Sequence, residues 1–345
     1  LDDAKFFFEN DRKKTLEGHR DDLTRINYQE GMGDMRDKAD RLRKLTEAIG
    51  KDWDFTAEEA ADADRAAFLS KSDLATGMVT EFTELQGEMG KEYALLDGEK
   101  PEVAKAIFEQ YMPRFAGDIL PQQEIGRALS LADKLDNLAA TFLRGLIPTG
   151  SQDPFALRRQ TIGAVNILTD GKIHWDIRRG IEAALALLPG DEETKKTVLS
   201  QIEDFFRQRI KAIMLDEGIA YDIIDAVLAG PVDDIYALFL KARSMAESQL
   251  KDEADLRQAV TRLANITKGK TGGKVDPSLF TEDVEKKLQD AFEAVSAKAL
   301  PLFASYEYGK ALPALKELTA PINDYLDNVM VMVDDEAVKN NRISQ

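Results

Sequence analysis

Apolar residues recur three or four positions apart along almost the whole chain, and alternating β-branched runs are few. That period puts one apolar stripe on each successive helix and predicts an all-α fold with short breaks between helices. Thr56-Ala57-Glu58-Glu59 has the spacing of a capping box, in which the hydroxyl and the carboxylate each satisfy an orphan first-turn amide. Asp153-Pro154 and Asp276-Pro277 each set a capping acid before a proline, which predicts two helix starts with proline as the first helical residue. Pro189-Gly190 ends the apolar run from Ile181 to Leu188. The stretch Lys268-Gly269-Lys270-Thr271-Gly272-Gly273-Lys274 is too rich in glycine to continue the helix carrying Arg262 to Ile266, and reads as a basic loop.

A chain of 345 residues is long enough for two or three cores, since a domain commonly takes roughly 100 to 200 residues. Glycine and proline interrupt the helical pattern near Arg144 to Gly150 and near Gly230-Pro231, which predicts segments 1–145, 146–229 and 230–345. No apolar run approaches the roughly 18 residues of a membrane span, and Leu1-Asp2-Asp3 has neither the basic nor the apolar part of a signal peptide. The absence of Cys excludes disulfides, thiolate catalysis and Cys-ligated zinc.

With 46 Lys and Arg against 63 Asp and Glu, the net charge of -17 argues against a surface that grips nucleic acid everywhere, because phosphate binding needs clustered cations. The distribution is uneven. From Arg257 to Lys274 the chain carries Arg257, Arg262, Lys268, Lys270 and Lys274 with no acid among them. From Arg144 to Arg179, six cations outnumber Asp153, Asp170 and Asp176. Such islands could confine an RNA, and they could equally be solvated surface.

Ala132-Asp133-Lys134-Leu135-Asp136, followed by the run from Pro148 through Asp153-Pro154-Phe155-Ala156-Leu157-Arg158-Arg159, resembles the β-subunit family of the bacterial heterotetrameric glycyl-tRNA synthetases. There an ADKLD helix precedes PTGSxDPFALRR. The resemblance extends to Asp3 through Lys13, to Asp37-Lys38, to Lys71-Ser72-Asp73-Leu74 and to the run from Glu81 to Gly87, where Thr83 replaces a proline. It continues through Arg262 to Ile266, Asn328 to Val333, and Asn341-Arg342. It implies a trimmed chain that opens inside a family domain and stops shortly before the family's C-terminal tail.

Three things follow from that resemblance as expectations. Residues 1–145 resemble a degenerate domain of the HD metal-dependent phosphohydrolases, with Asp73 and Asp133 at two ligand positions and the histidines gone. His19 lies upstream of the helix near Asp40 expected to hold the first ligand, and His174 lies beyond the domain. Two acids alone would hold a metal weakly, so neither a metal site nor catalytic residues are expected, and Asp73 and Asp133 should cap helices or pair with Lys71 and Lys134. Residues 146–229 are expected to be a helical connector, with Arg158 or Arg159 bonding across the junction beside a helix capped by Asp153. Residues 230–345 resemble the helical DALR-type anticodon-binding domain, with Arg243, Arg262, Asn265, Lys268, Lys270, Lys274, Asn341 and Arg342 as candidate tRNA contacts.

The implied whole is a cytoplasmic α2β2 glycine–tRNA ligase whose α subunit holds ATP, magnesium and glycine while this subunit recognises tRNA(Gly), with no cofactor, DNA or membrane of its own. The rival readings are an active HD-type phosphohydrolase and a helical scaffold that binds only protein. Metal content discriminates the first, and the absence of salt-sensitive RNA binding marks the second.

Overall fold

The computed structural model describes residues 2–248 and 254–345; Leu1 and residues 249–253, the latter inside the third expected segment, lie outside the described residues. The helices in chain order are α1 (Asp2–Asp11), α2 (Leu16–Arg20), α3 (Met35–Asp52), α4 (Ala57–Leu69), α5 (Gly77–Glu81), α6 (Glu88–Leu96), α7 (Pro101–Glu109), α8 (Glu124–Leu143) and α9 (Leu157–Asp170). They continue with α10 (Ile177–Ala186), α11 (Glu192–Asp216), α12 (Tyr221–Leu228), α13 (Ile235–Glu247), α14 (Ala254–Thr267), α15 (Asp283–Ala304), α16 (Tyr308–Ala314), α17 (Thr319–Asn328) and α18 (Glu336–Ser344). Among the described residues no strand forms, only isolated bridges such as Thr149 with Gln152. The expected all-α class therefore holds. No described helix is long and apolar enough to cross a membrane.

Contacts divide the chain into two units, Leu1–Ile213 with Gly230–Tyr236, and Met214–Ala229 with Ala237–Gln345. Residues 146–213 thus fall with the first helices and 214–229 with the last. The first unit is built round α8, which is buried at nearly every position from Ile125 to Phe142. A helix buried on all sides can only sit inside other helices, and α3, α4, α7, α9 and α10 pack around it. Gly180 of α10 shows how closely: a Cβ built there would lie 2.3 Å from Trp175 and 2.8 Å from Leu135 of α8. In the second unit α16 and α17 pack on α15, and α14 packs on α17. Its core joins Ala259, Leu288, Ile322, Tyr325, Val329 and Val331, with Leu263 and Ile266 of α14 packed against it.

Local capping follows the sequence at Thr56, whose hydroxyl accepts from Glu59 N while the Glu59 carboxylate accepts from Thr56 N. The two Asp-Pro starts need correction. α9 begins at Leu157, three residues beyond Pro154, because Ala156 takes a left-handed conformation with φ 54° and restarts the chain direction. Asp153 still caps it, accepting from Leu157 N at 2.8 Å and Arg158 N at 2.9 Å. Asp276-Pro277 opens a single 3-10 turn, Pro277–Leu279, and α15 starts only at Asp283 behind its own box of Glu282 and Glu285.

The contact at Gly180 generates a test. Trp175 meets Trp53 edge-on at 5.8 Å and donates to Asp52 at 2.9 Å, so Gly180→Ala should displace it and cost about 1–3 kcal/mol through overpacking. Denaturant unfolding followed by tryptophan fluorescence checks both the loss and the altered native spectrum.

Candidate functional site

The ADKLD stretch lies on α8, where Asp133 and Asp136 stand one helical turn apart and face α3. On α3, Lys38 and Arg41 are likewise one turn apart, so two acids meet two bases along the same seam. Arg41 Nε reaches Asp136 Oδ1 at 2.6 Å, Lys38 Nζ reaches Asp136 Oδ2 at 2.8 Å, and Lys38 Nζ lies 3.0 Å from Asp133 Oδ1. Lys71 completes the cluster from the turn after α4, donating to Asp133 Oδ2 at 2.9 Å. Its backbone is left-handed, with φ 67°, an unusual conformation for a residue with a Cβ. Burial alone would raise the Asp133 carboxyl pKa, but Lys38 and Lys71 outweigh it and hold that carboxyl far below its usual range. Burial would likewise lower the Lys38 ammonium pKa, and Asp133 with Asp136 reverse the direction.

Asp73 is separate from this cluster. Buried in the short turn Ser72–Ala75, it accepts from Gly87 N at 2.7 Å and from the Tyr111 hydroxyl at 3.2 Å. Gly87 has φ 87°, and a Cβ there would come within 2.8 Å of Tyr111, so the cap depends on glycine. Burial raises the Asp73 carboxyl pKa, and the amide of Gly87 only partly offsets it. These donors do not fit a metal ion: Asp133 is held by two ammonium groups, Asp73 turns toward an amide, and the described residues contain no group of three His, Cys, Asp or Glu placed to ligate one. His19 is buried and bonds the Asp11 carbonyl, while His174 pairs with Asp234 at 2.8 Å.

Of the expected pairings of Asp73 and Asp133 with Lys71 and Lys134, Lys71 with Asp133 forms, and that of Lys134 needs correction. Neighbours on a helix point apart, and Lys134 turns instead to the Met112 carbonyl at 2.8 Å and Ser130 Oγ at 2.7 Å. Burial pulls its ammonium down to about 7. The charge cluster uses Lys38, Arg41 and Asp136, which the matching spacing of bases on α3 and acids on α8 could have revealed. Arg158 and Arg159 also depart from expectation: neither side chain has a hydrogen-bond or ion-pair partner among the described residues.

In the second unit the eight candidate tRNA contacts separate into three kinds. Lys268, Lys270 and Lys274 stand exposed in the loop after α14, with Asn265 exposed on its last turn. None of the three ammonium groups has a carboxylate within 4 Å among the described residues, and Lys270 reaches back to the Ile266 carbonyl at 2.7 Å and to the Met332 sulfur at 3.1 Å. Arg262 and Arg243 are engaged at the surface, Arg262 with Asp327 at 2.8 Å and Arg243 in a fork with Glu217 at 2.7 and 2.9 Å. Asn341 and Arg342 are buried and do not face solvent. Asn341 exchanges two hydrogen bonds with the Asp276 backbone, and Arg342 forks onto the buried Glu285 at 2.9 and 3.3 Å while bonding Thr281 and the Met330 carbonyl. They clamp α18 to the start of α15 and to the Asp276 backbone just before it.

Residues 1–229 match the family described as glycyl-tRNA synthetase beta subunit. Among curated relatives, the glycine–tRNA ligase beta subunit of Clostridioides difficile (strain 630) is 44% identical over 345 residues, covering 100% of this chain and 50% of that protein. Those of Desulforamulus reducens and Halothermothrix orenii are 40% and 41% identical, with the same coverage of both chains. The chain spans about half the length of the curated relatives it matches.

Two tests follow from the geometry. Glu285→Ala should strand the buried Arg342 and destabilise the second unit by about 3–5 kcal/mol, measured by denaturant unfolding. Lys134 is protonated below about 10 in the unfolded chain but only below about 7 when folded. Its lowered pKa therefore adds stability as pH rises from about 7 towards 10, because there the unfolded state binds the extra proton. Lys134→Met should remove that rise, so its stability relative to the parent is greatest near pH 7 and declines towards pH 10, read from urea unfolding across that window.

Proposed function

The chain belongs to the glycyl-tRNA synthetase β-subunit family, and from that membership we propose that it serves as the tRNA-recognising part of a cytoplasmic glycine–tRNA ligase. In this reading the overall reaction joins glycine to tRNA(Gly) with ATP, and a partner α subunit in an α2β2 assembly takes ATP, magnesium and glycine. This subunit contributes by position. Holding the acceptor end of the tRNA where the partner's activated glycine can be attacked removes much of the entropic barrier, without a nucleophile of its own.

We assign 1–145 as a degenerate HD-like domain, 146–229 as a connector and 230–345 as a DALR-like anticodon-binding domain. The observation that carries the tRNA reading is the exposed end of α14 and the loop after it, where Asn265, Lys268, Lys270 and Lys274 are all exposed and, among the described residues, none of the lysines has an ion pair within 4 Å, in a chain of net charge -17. Unpaired ammonium groups can neutralise phosphates, and an exposed carboxamide can pair with the edge of an unstacked base. Arg262 and Arg243 would have to leave Asp327 and Glu217 to do the same, which makes Asn265 the stronger candidate for reading sequence. Asn341 and Arg342 support the platform from beneath.

Replacing Lys268, Lys270 and Lys274 together with Ala should weaken tRNA binding and flatten its log–log salt dependence by up to about three units, with the fold retained. Asn265→Ala should leave the salt slope unchanged and reduce the preference for tRNA(Gly) over a tRNA with an altered anticodon by roughly 1–3 kcal/mol. Fluorescence anisotropy titrations at two salt concentrations measure both. Unchanged binding in the triple variant, with unchanged discrimination in Asn265→Ala, would place the anticodon contact elsewhere.

A further inference from the structure

The two arginines that close the PTGSQDPFALRR run are the part of that motif which the fold does not use. The other arginines of the basic stretch from Arg144 to Arg179 are neutralised within the first unit: Arg144 pairs with Glu30, Arg178 with Glu182 and Glu203, and Arg179 with Asp52. Arg158 and Arg159 alone among them have no side-chain partner among the described residues. The amides of the α9 start are also taken, because Asp153 already accepts from Leu157 N and Arg158 N. What the turn offers is therefore side-chain charge and not a helix end.

Arg158 is half-buried on the first turn of α9 and lies near enough to Arg209 of α11 for the two positive charges to act on each other. Arg209 is half-buried as well. Its guanidinium rests on the Phe205 ring at 4.5 Å, its Nη2 reaches only the exposed carboxamide of the adjacent Gln208 at 3.0 Å, and its Nη1 is buried with no acceptor. Neither guanidinium has a carboxylate within 4 Å among the described residues. Burial, and after it the charge of Arg158, hold the Arg209 guanidinium below its ordinary pKa, and Asp153 offsets only part of this. The ring contact supplies attraction but neither a hydrogen-bond acceptor nor a counter-charge. Two half-buried like charges side by side work against a fold unless an anion joins them.

We propose that Arg158 and Arg209 form a second RNA contact, made by the first unit, that holds one backbone phosphate of the tRNA. The inference rests on the tRNA reading above and adds to it a contact that does not read sequence. A phosphodiester presents two non-bridging oxygens, one for Arg158 and one for the Nη2 edge of Arg209, in charge-assisted bonds. Gln208 is exposed and gives up Nη2 to the anion while keeping its own contact with water. The bound charge offsets the repulsion that the free protein carries. Arg159, exposed at the next position, adds attraction at longer range. Phosphate contacts fix register and orientation, which is what the proposed role of this subunit requires.

The test measures tRNA(Gly) binding by the full chain, by fluorescence anisotropy across a salt series, for the parent, Arg209→Gln and Arg158→Gln, with urea unfolding of each protein free of RNA. Each variant should bind tRNA(Gly) roughly tenfold more weakly, the worth of one charged hydrogen bond, with a log–log salt slope lower by up to about one. Each should lose as much affinity for a tRNA with an altered anticodon. The urea midpoint should hold or rise in both, since removing one like charge relieves the other; a lowered midpoint in both would overturn the site as a structural pair. Should Arg209→Gln fail to fold, Arg158→Gln decides the matter alone. Unchanged affinity and slope in the arginine variants, while the triple Ala variant at Lys268, Lys270 and Lys274 loses both, would overturn the second contact, leave an acidic protein surface as the occupant and keep the tRNA reading. No salt-sensitive tRNA binding by the parent would overturn both.

Discussion

The first unit depends on one interaction, the buried seam in which Lys38 and Arg41 of α3 meet Asp133 and Asp136 of α8. Asp136 has no exposed surface and three bonds from two cations. Charges so placed are costly to desolvate, and their mutual attraction roughly offsets that cost only when every partner is in register. Sliding either helix by one turn would leave two charges unpaired, whereas the small apolar residues of α8 would tolerate the slip. The seam therefore fixes the relative position of the two helices, and α4, α7 and α10 take their places around the pair. Lys71 joins it from a left-handed backbone, a local strain of about 1–2 kcal/mol held by the bond to Asp133.

The same arrangement accounts for how buried acids are held where the described residues offer no group of three donors for a metal. Where carboxylates would otherwise need a divalent cation to lie side by side in a low dielectric, two ammonium groups supply the positive charge. Lysine can do this only because it donates to oxygen and does not ligate as carboxylate or imidazole would. The acids and their cations thus form a structural joint between α3, α8 and the turn after α4.

Much of the architecture was legible in the residues, for identifiable reasons. The helical class followed from apolar spacing, and the capping box at Thr56 from two side chains that act within four residues. Local hydrogen bonding of this kind is written into short sequences. The start of α9 was misplaced because the left-handed Ala156 reflects packing of the whole PTGSQDP turn, which no propensity reports. Lys71 was rightly expected as a partner of the acids and pairs with Asp133, but Lys134 was misjudged because adjacency in sequence stood in for adjacency in space. Complementary spacing, base-x-x-base in one helix and acid-x-x-acid in another, was the available signal. Asn341 and Arg342 illustrate the converse: a polar pair near a chain end reads as solvated, yet it closes over Glu285 and the Asp276 backbone. Lys268, Lys270 and Lys274 were readable because a glycine-rich loop cannot bury them.

The central claim is that the seam between α3 and α8 is a mutually dependent charge network and not a set of independent polar residues. A double-mutant cycle on Lys38→Met and Asp136→Leu, followed by urea unfolding at neutral pH, tests it most directly. The account predicts that each single variant loses about 3–5 kcal/mol, because it strands a buried charge, and that the double variant loses clearly less than the sum of the two. Additive losses would contradict it, since they would mean that the two side chains contribute to the fold without depending on each other.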